Sequence, residues 1–383
     1  MKTPLLAALC VIGFTTHAFS AVDEAIATIL SVGTEGQGNA EAGAAWEELS
    51  NASLEQVPAI ISELEGANPL AANYLRGAVD AIVARETKAG KNLPMSELGS
   101  ILLDPRQAPQ ARSYAFELIE RTNPDTAAKL VPGMLNDPSV DLRRRAVERL
   151  IDEAKGTEGS DATLIYRQAL TAARDADQVQ TIAKALREKE QEVDLPLHFG
   201  FLMHWDIIGP FDNTEREGFD TVYPPETEIN ISATYPGKDG EVSWQPYVTT
   251  DEYGKLDFNK PYGLLKDVVA YAYTEFNAAQ AQSVELRLGG KNAWKVWLNG
   301  ELLFGRDEYH RGARIDQYKM KADLREGTNQ ILVKCCQNEQ ERDWTVQWEF
   351  QLRVCDETGT AVLAQDRPPT PKPEAARRRP KQG

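Results

Sequence analysis

The chain has 383 residues, of which 42% are hydrophobic and 26% charged, a balance typical of a globular protein with two or three domains. Its formal net charge is −16 and its pI is about 4.9. An acidic surface repels phosphate groups, so the composition argues against nucleic-acid binding and against adhesion to anionic membranes.

The first 20 residues have the pattern of an export signal. Lys2 precedes the apolar run PLLAALCVIGF, which is too short to cross a bilayer. Ala18 and Ser20 then offer small residues at the −3 and −1 positions of a cleavage site. No later stretch is apolar for long enough to span a membrane. We therefore expect an exported protein, periplasmic or extracellular, that loses a signal peptide at 1–20.

Residues 21–192 are predicted to be α-helical. The stretches ARSYAFELIER and LRRRAVERLIDEA both carry apolar residues at helical spacing, and each follows an Asp-Pro pair, at 104–105 and 137–138. Proline ends one helix and is tolerated in the first turn of the next. This pattern resembles HEAT-like repeats, which implies an α-solenoid that docks a protein partner on its concave surface. A non-repeating helical bundle is the alternative.

Residues 197–363 are predicted to form an antiparallel β-sandwich. Near position 190 the helical spacing stops, and short strand-like runs separated by Gly, Asn and Asp turns follow. The runs are WDII, EVSWQPY, VVAYAYTEF, SVELRLGG, AWKVWL, ELLFG, YKMKADL, NQILVKCC and TVQWEFQLRV. Residues 364–383 are rich in proline and arginine, and we expect a disordered tail there.

Asn299-Gly300 is the strongest turn signal in the chain. Both residue types accept the positive φ of a type I′ turn, so the sequence predicts a β-hairpin with a two-residue loop. That loop pairs Trp297 with Leu302 and Val296 with Leu303.

The hairpin belongs to a longer resemblance. The stretches VELRLGGKNAWKVWLNGELLF, at 284–304, and ADLREGTNQILVKCC, at 322–336, are similar to the galactose-binding-like jelly roll. They resemble in particular the non-catalytic sugar-binding domains appended to bacterial glycoside hydrolases and esterases. The resemblance implies a jelly-roll sandwich that binds a glycan or a second protein. It transfers no binding residue to this chain, because the fold carries several kinds of ligand.

A cluster of charged and aromatic residues follows the hairpin. Sugars are bound by an aromatic platform under their C–H face and by planar polar groups on their hydroxyls. The alternative is a solvated rim in which the charges pair with each other. The residues predicted to bind a ligand are Arg306, Tyr309, His310, Arg311, Asp343 and Trp344.

The cysteines are predicted to be free thiols in the mature chain. Cys335, Cys336 and Cys355 remain after removal of the signal, an odd number. We expect 329–336 and 344–355 to pair as a hairpin, which would hold Cys335 and Cys355 too far apart for a disulfide.

No catalytic motif or metal-binding motif is recognisable. The sequence lacks a G-x-S-x-G elbow, an H-E-x-x-H motif and a P-loop. We predict no catalytic residue, no metal ligand and no cofactor; a structural calcium ion in the acidic loop 251–259 is the one exception that the pattern admits. The function predicted is an exported binding or scaffold protein. The alternatives are a hydrolase acting on carbohydrate or cell-envelope material at the domain seam, and a structural subunit of a surface assembly.

Overall fold

A computed structural model describes residues 21–372, and the predicted signal peptide and most of the basic tail lie outside this range. The chain divides into two compact units between Arg149 and Leu150. The predicted combination of a helical N-terminal part and an antiparallel β-rich C-terminal part is confirmed. None of the described helices is both long and apolar enough to cross a membrane.

Helices make up the described part of the first unit and continue into the second. The successive pairs α1 and α2, α5 and α6, and α9 and α10 pack as neighbours. The helices that precede the strands are α1 (Ala21–Leu30), α2 (Asn39–Leu49), α3 (Val57–Ser62), α4 (Pro69–Lys88), α5 (Met95–Leu103), α6 (Pro109–Thr122), α7 (Pro124–Leu130), α8 (Val140–Lys155), α9 (Gly159–Ala172), α10 (Ala176–Glu188) and α11 (Leu195–Phe199).

The predicted apolar faces of α6 and α8 are buried, as the helical spacing requires. The second Asp-Pro break has a visible cause. The carboxylate of Asp137 accepts hydrogen bonds from both terminal nitrogens of the buried Arg112, at 2.7 and 2.6 Å, and from the backbone N–H of Ser139 at 2.8 Å. Asp137 therefore ends one helical segment and orients the entry to α8, while it also neutralises a buried arginine of α6.

The strands form two larger sheets and one short ribbon, with every described pair antiparallel. The order in the six-stranded sheet is β4-β1-β6-β11-β8-β9, and in the four-stranded sheet β10-β7-β12-β5; β2 pairs with β3. The strands are β1 (His204–Asp212), β2 (Thr234–Pro236), β3 (Glu241–Ser243), β4 (Gln245–Val248), β5 (Leu256–Asp257), β6 (Val268–Ala278), β7 (Gln282–Gly290), β8 (Ala293–Leu298), β9 (Glu301–Arg306), β10 (Tyr318–Leu324), β11 (Gly327–Gln337) and β12 (Glu349–Cys355).

The two larger sheets face each other across one hydrophobic core. Trp294 and Val296 of the six-stranded sheet and Leu288 and Leu352 of the four-stranded sheet belong to the same buried cluster. A second cluster, which includes Trp297, lies on the other face of the six-stranded sheet. That face is covered by the segment between β1 and β2, which contains the short helix α12 (Pro224–Thr227). Helix α13 (Asn259–Tyr262) follows β5.

The hairpin is confirmed, with one correction to its register. Asn299 and Gly300 have φ values of 53° and 84°, as a type I′ turn requires, and Trp297 pairs with Leu302. Val296 pairs with Phe304 rather than with Leu303, because β9 carries an extra residue at this point.

The three cysteines are free and buried, but the pairing used to predict this was wrong. β11 pairs with β6 and β8, whereas β12 pairs with β7 and β5 in the opposite sheet. The loop between β11 and β12 therefore crosses from one sheet to the other. A short loop usually joins two strands of a hairpin. Here both strands are apolar on two faces, and each pairs with two other strands in its own sheet.

Helices α9 and α10 belong to the same compact unit as the sheets. Arg174, between these helices, donates to Thr360 at 2.9 Å, and Arg187 of α10 pairs with Glu252 at 2.7 Å. At the other end of the unit, Arg367 donates to the carbonyl of Pro196 at 3.1 Å, so the first residues of the predicted tail are bound to the domain. The rest of the tail, from residue 373 on, lies outside the described residues.

Candidate functional site

Four of the six predicted site residues surround one shallow cavity of about 400 Å³. They come from two places, the segment that follows β9 and the turn that precedes β12. The cavity is lined by Arg216, Asp307, Glu308, Tyr309, His310, Arg311, Gln340 and Trp344. We call it the Trp344 cavity.

Trp344 presents a free aromatic surface at the edge of this cavity. Its side chain is 61% exposed, an unusual state for a large apolar group. The ring of His310 meets the indole edge-to-face, with centroids 5.6 Å apart. His310 is itself fixed by Asn338, whose Oδ1 lies 2.7 Å from Nε2 of the imidazole. His310 therefore supports the indole, most of whose surface remains exposed to solvent.

Tyr309 and Arg216 form another part of the cavity wall. The guanidinium of Arg216 lies over the ring of Tyr309, 5.3 Å from the centroid, and makes a two-pronged ion pair with Glu339 at 3.1 and 2.5 Å. The phenol oxygen of Tyr309 accepts a hydrogen bond from Nδ2 of Asn213 at 3.2 Å. Burial raises the pKa of Tyr309 well above its usual value, so the phenol stays protonated.

Arg306 and Asp343 do not line the cavity. Arg306 is turned to Glu308, 2.7 Å away, and Glu308 also lies 3.6 Å from Arg311. Arg306 thus fits the alternative of a solvated rim, because its charge is paired with Glu308 of the same loop. Asp343 begins the short turn that carries Trp344, but it is not among the residues that line the cavity. The six predicted residues did not include four others that line the cavity. Asp307, Glu308 and Gln340 lie in the two segments that were predicted, whereas Arg216 lies far from both in the sequence.

The cavity offers hydrogen-bond donors and acceptors of both kinds. Burial, followed by the nearby charges of Lys266 and Arg216, lowers the pKa of His310 against the opposing hydrogen bond to Asn338. The imidazole is therefore neutral at pH 7. Arg311 is exposed and its guanidinium can form paired hydrogen bonds with vicinal oxygens. The chemistry available is recognition of a polar ligand next to an aromatic surface.

Within residues 21–372, no group of three or more His, Cys, Asp or Glu side chains is placed to hold a metal ion. In the acidic loop 251–259, the carboxylates of Asp251 and Asp257 accept hydrogen bonds from backbone N–H groups of the same loop. Asp251 accepts the backbone N–H groups of Tyr253 and Lys255, and Asp257 accepts that of Asn259 at 3.0 Å. A calcium ion there stays a prediction.

The described thiols are poor nucleophiles. Burial raises the pKa of Cys336 to about 12 and raises that of Cys335 further above its usual value. A thiol with such a pKa carries almost no thiolate at neutral pH, so neither Cys335 nor Cys336 is suited to act as a nucleophile.

His198 makes the stability of the fold depend on pH. Its Nε2 donates to the carbonyl of Ala173 at 3.1 Å, and burial, with the charge of Arg174, lowers the pKa of the ring to about 4. In the unfolded chain the imidazole of His198 has its ordinary pKa of 6.5, whereas in the folded chain it is protonated only near pH 4. Stability is therefore fully present above pH 6.5 and is lost as the pH falls, by about 2 kcal/mol at pH 5.

This loss can be measured with His198→Gln, which keeps a donor for Ala173 but cannot be protonated. Urea unfolding at pH 7 and pH 5, followed by tryptophan fluorescence, should show a smaller loss in the variant than in the parent chain. Equal losses in the two proteins would show that His198 does not cause the effect.

Comparisons with known proteins add no family. No protein-family model and no curated protein matches the sequence. Among solved structures, the chain is similar to a GH31 alpha-xylosidase from Xanthomonas citri, with 9% identity over 41% of this chain and 16% of that one, and a TM-score of 0.22. It is also similar to a beta-glucosidase from Kluyveromyces marxianus, with 10% identity over 65% of this chain and 36% of that one, and a TM-score of 0.25. A structure of a Kluyveromyces marxianus beta-glucosidase in complex with glucose gives 8% identity over 73% of this chain and 35% of that one, with a TM-score of 0.21. The chain thus spans well under half of each enzyme, and similarities this weak carry no argument about fold or activity.

Proposed function

We propose that the protein is an exported, non-catalytic binding protein whose jelly-roll sandwich binds a glycan at the Trp344 cavity. One observation carries the proposal: a tryptophan that is 61% exposed packs against His310 beside a cavity lined by charged and amide side chains. An exposed indole loses its contact with water when a sugar ring covers it, and the polar groups around it can bond the hydroxyls.

The shape of the cavity also favours binding over catalysis. It is shallow, and Glu308, one of its two carboxylates, is tied to Arg306. The hydrogen bond from Arg306 lowers the pKa of Glu308, which makes this carboxyl a poor proton donor at neutral pH.

The helical part has a separate role in this proposal. Its helices α5 to α8 carry the recurring Asp-Pro breaks, and adjacent helices pack as pairs. We infer that they continue as a HEAT-like solenoid that docks a protein partner, so that the chain connects a glycan to a second protein. In this proposal the sandwich recognises the glycan and the helices attach the chain to the partner protein.

Trp344→Ala should weaken glycan binding by about tenfold or more, since aromatic groups at the centre of a contact dominate its affinity. The experiment is a glycan array with the full chain, followed by calorimetric titration of the best oligosaccharide. Arg311→Ala should have an effect of similar size. Both side chains are exposed, so the melting temperature should change little.

Two controls make the result specific. Phe304 is another exposed aromatic residue, 45% accessible on β9 and away from the cavity, so Phe304→Ala should bind normally. Trp297 is buried, and Trp297→Ala should lower stability by roughly 3–5 kcal/mol before it affects recognition. Normal binding by Trp344→Ala, with loss of binding in a folded Trp297→Ala, would place the site on the hairpin face and contradict the proposal.

A further inference from the structure

A network of buried side chains connects the end of β11 to the Trp344 cavity. Its centre is Gln337, the last residue of β11, which is fully buried. Oε1 of Gln337 accepts hydrogen bonds from Nδ2 of Asn292 at 2.9 Å and from the backbone N–H of Asn338 at 3.1 Å. Nε2 donates to the carbonyl of Thr345 at 3.0 Å, and the backbone carbonyl accepts a hydrogen bond from Nδ2 of Asn213 at 2.9 Å. All four partners are buried, so these bonds are shielded from water and hold their groups in one arrangement. We call these five residues the Gln337 network.

Two branches of the Gln337 network end at aromatic residues of the cavity. Asn213 is one branch, because its Nδ2 also donates to the phenol oxygen of Tyr309, at 3.2 Å. Thr345 is the other branch, because it directly follows Trp344 in the turn that precedes β12. Gln337 therefore fixes the backbone that presents the indole, and it also fixes the side chain that bonds the phenol.

The third branch determines how His310 is protonated. Oδ1 of Asn338 accepts the backbone N–H of Gln340 at 3.2 Å, and the same oxygen lies 2.7 Å from Nε2 of the imidazole. A backbone N–H can only donate, so the Asn338 atom that faces both groups is the oxygen, and an amide oxygen can only accept. The imidazole must therefore carry its proton on Nε2. In the neutral ring Nδ1 is then an acceptor, and within residues 21–372 it has no hydrogen bond.

An open acceptor in the cavity restricts what can bind there. His310 lines the cavity and packs against Trp344, with ring centroids 5.6 Å apart. A sugar hydroxyl can donate to Nδ1, whereas a carboxylate or sulfate oxygen has no proton to donate. We propose that Gln337 and Asn338 are positioning residues of the Trp344 cavity, which hold His310 with Nδ1 as the acceptor for a hydroxyl of the bound glycan. This assignment rests on the proposed function for its ligand, but the state of His310 in the free protein tests it separately.

The tautomer of His310 can be measured in the full chain without a ligand. Protein that contains isotope-labelled histidine gives a long-range proton–nitrogen correlation spectrum, which distinguishes protonated from unprotonated ring nitrogens. The spectrum of His310→Gln identifies the signals that belong to His310. At pH 7 we expect Nε2 to be protonated and Nδ1 to be unprotonated. A proton on Nδ1, whether alone or together with one on Nε2, would overturn the proposal.

Variants test whether the Gln337 network sets this tautomer. Asn338→Leu removes the acceptor, so His310 should show both neutral tautomers in exchange instead of one. Gln337→Met keeps the length of the side chain but loses its bonds to Asn338 and Thr345, so it should have the same effect to a smaller extent. A residue that only stabilises the fold would lower the melting temperature without changing the tautomer. His310 signals that stay unchanged in both variants would contradict the positioning role.

Asn329 provides the matched control, because it is a buried amide near the opposite end of β11. Its Nδ2 donates to the carbonyls of Arg325 and Gly327 at 2.8 and 3.0 Å, so Asn329→Leu should also lower the melting temperature. It should leave the His310 signals unchanged. If Asn329→Leu changes those signals as Gln337→Met does, the cause is a general loss of stability and the proposal is wrong.

Binding measurements test the role of Nδ1 directly. In calorimetric titrations with the oligosaccharide that the glycan array selects, Asn338→Leu and Gln337→Met should bind about tenfold more weakly, since a hydrogen bond to the ligand is lost or misdirected. Asn329→Leu should bind like the parent chain. Undiminished affinity in a folded Asn338→Leu would overturn the role of Nδ1. If no oligosaccharide binds the parent chain, the proposed function fails, while the His310 spectra still decide whether Gln337 and Asn338 position the ring.

Discussion

Asp316→Asn should destabilise the β-rich unit by roughly 3–5 kcal/mol, although the residue ends a loop of mostly exposed charges. Its two carboxylate oxygens accept Nε and Nη2 of Arg353, both at 2.6 Å, and Oδ2 also accepts Nη1 of Arg287 at 2.8 Å. Arg353 is fully buried and Arg287 is 6% exposed. Without the carboxylate, two buried guanidinium groups would keep Glu285 as their one counter-charge among residues 21–372.

The loss should spread beyond the loop, because Arg353 also connects distant segments. Its Nη1 donates to the carbonyls of Phe199 and Gly359, each at 3.0 Å. Burial alone would raise the pKa of Asp316, but the hydrogen bonds and charges of Arg353 and Arg287 outweigh it and hold that pKa below its usual value. This contribution is therefore present above about pH 4 and disappears only in stronger acid.

Urea unfolding at pH 7 followed by tryptophan fluorescence measures the change, since every tryptophan except Trp46 lies in the second unit. Asp307→Asn is the matched control: it makes the same substitution at an exposed position of the same loop and should change stability by less than about 0.5 kcal/mol. If the two variants lose the same amount, the buried cluster does not depend on Asp316.

Features that depend on neighbouring residues were predictable from the sequence. The hairpin turn needs only the positive φ that Asn299 and Gly300 accept, and it is present. The apolar faces of α6 and α8 follow from helical spacing within each segment, and both faces are buried. The strand runs were recognised for the same reason, apart from β2 and β5, which are only three and two residues long.

Features that depend on distant parts of the chain were not predictable in the same way. The apolar pattern of β11 and β12 shows that both strands are buried, but it does not say in which sheet, so they were wrongly paired as a hairpin. In the candidate site, Tyr309, His310, Arg311 and Trp344 were found because they flank recognisable strands. Arg216 was missed because it lies far from Tyr309 in the sequence, in the segment between β1 and β2 that covers this face of the sheet.

Lys334 is the clearest case of a residue whose environment the sequence conceals. In the run ILVKCC it has the position of an outward-facing polar residue on an alternating strand. The segment between β1 and β2 folds over that face, so the side chain is fully buried. Its Nζ donates to the carbonyls of Phe219 and Thr221 at 3.0 and 2.8 Å and to Oε1 of Glu226 at 2.8 Å. One ammonium group thus attaches the covering segment to the sheet.

Glu226→Gln should therefore cost roughly 3–5 kcal/mol, because it keeps the shape of the contact and leaves a buried lysine without its counter-charge. Lys334→Met should lower stability by a similar amount, because it leaves the carboxylate of Glu226, only 8% exposed, without its counter-charge. The double variant should recover much of the loss, since neither charge then remains buried alone. Lys295→Met is the control: Lys295 pairs directly with Lys334 across the strands, but its partner Asp220 is 89% exposed, so the expected cost is about 1 kcal/mol or less.

The pH dependence of Glu226→Gln tests the same cause independently. Burial already lowers the pKa of Lys334 against the opposing hydrogen bond and charge of Glu226, and removal of that charge should lower it further. The unfolded chain then holds a proton that the folded variant releases, so the stability of the variant should rise with pH between neutrality and about pH 10. Urea unfolding at pH 7 and pH 9.5 should show the gap between the variant and the parent chain become smaller. A gap that stays constant, together with a double variant no more stable than either single one, would mean that Lys334 and Glu226 stabilise the fold through packing and not through their charges.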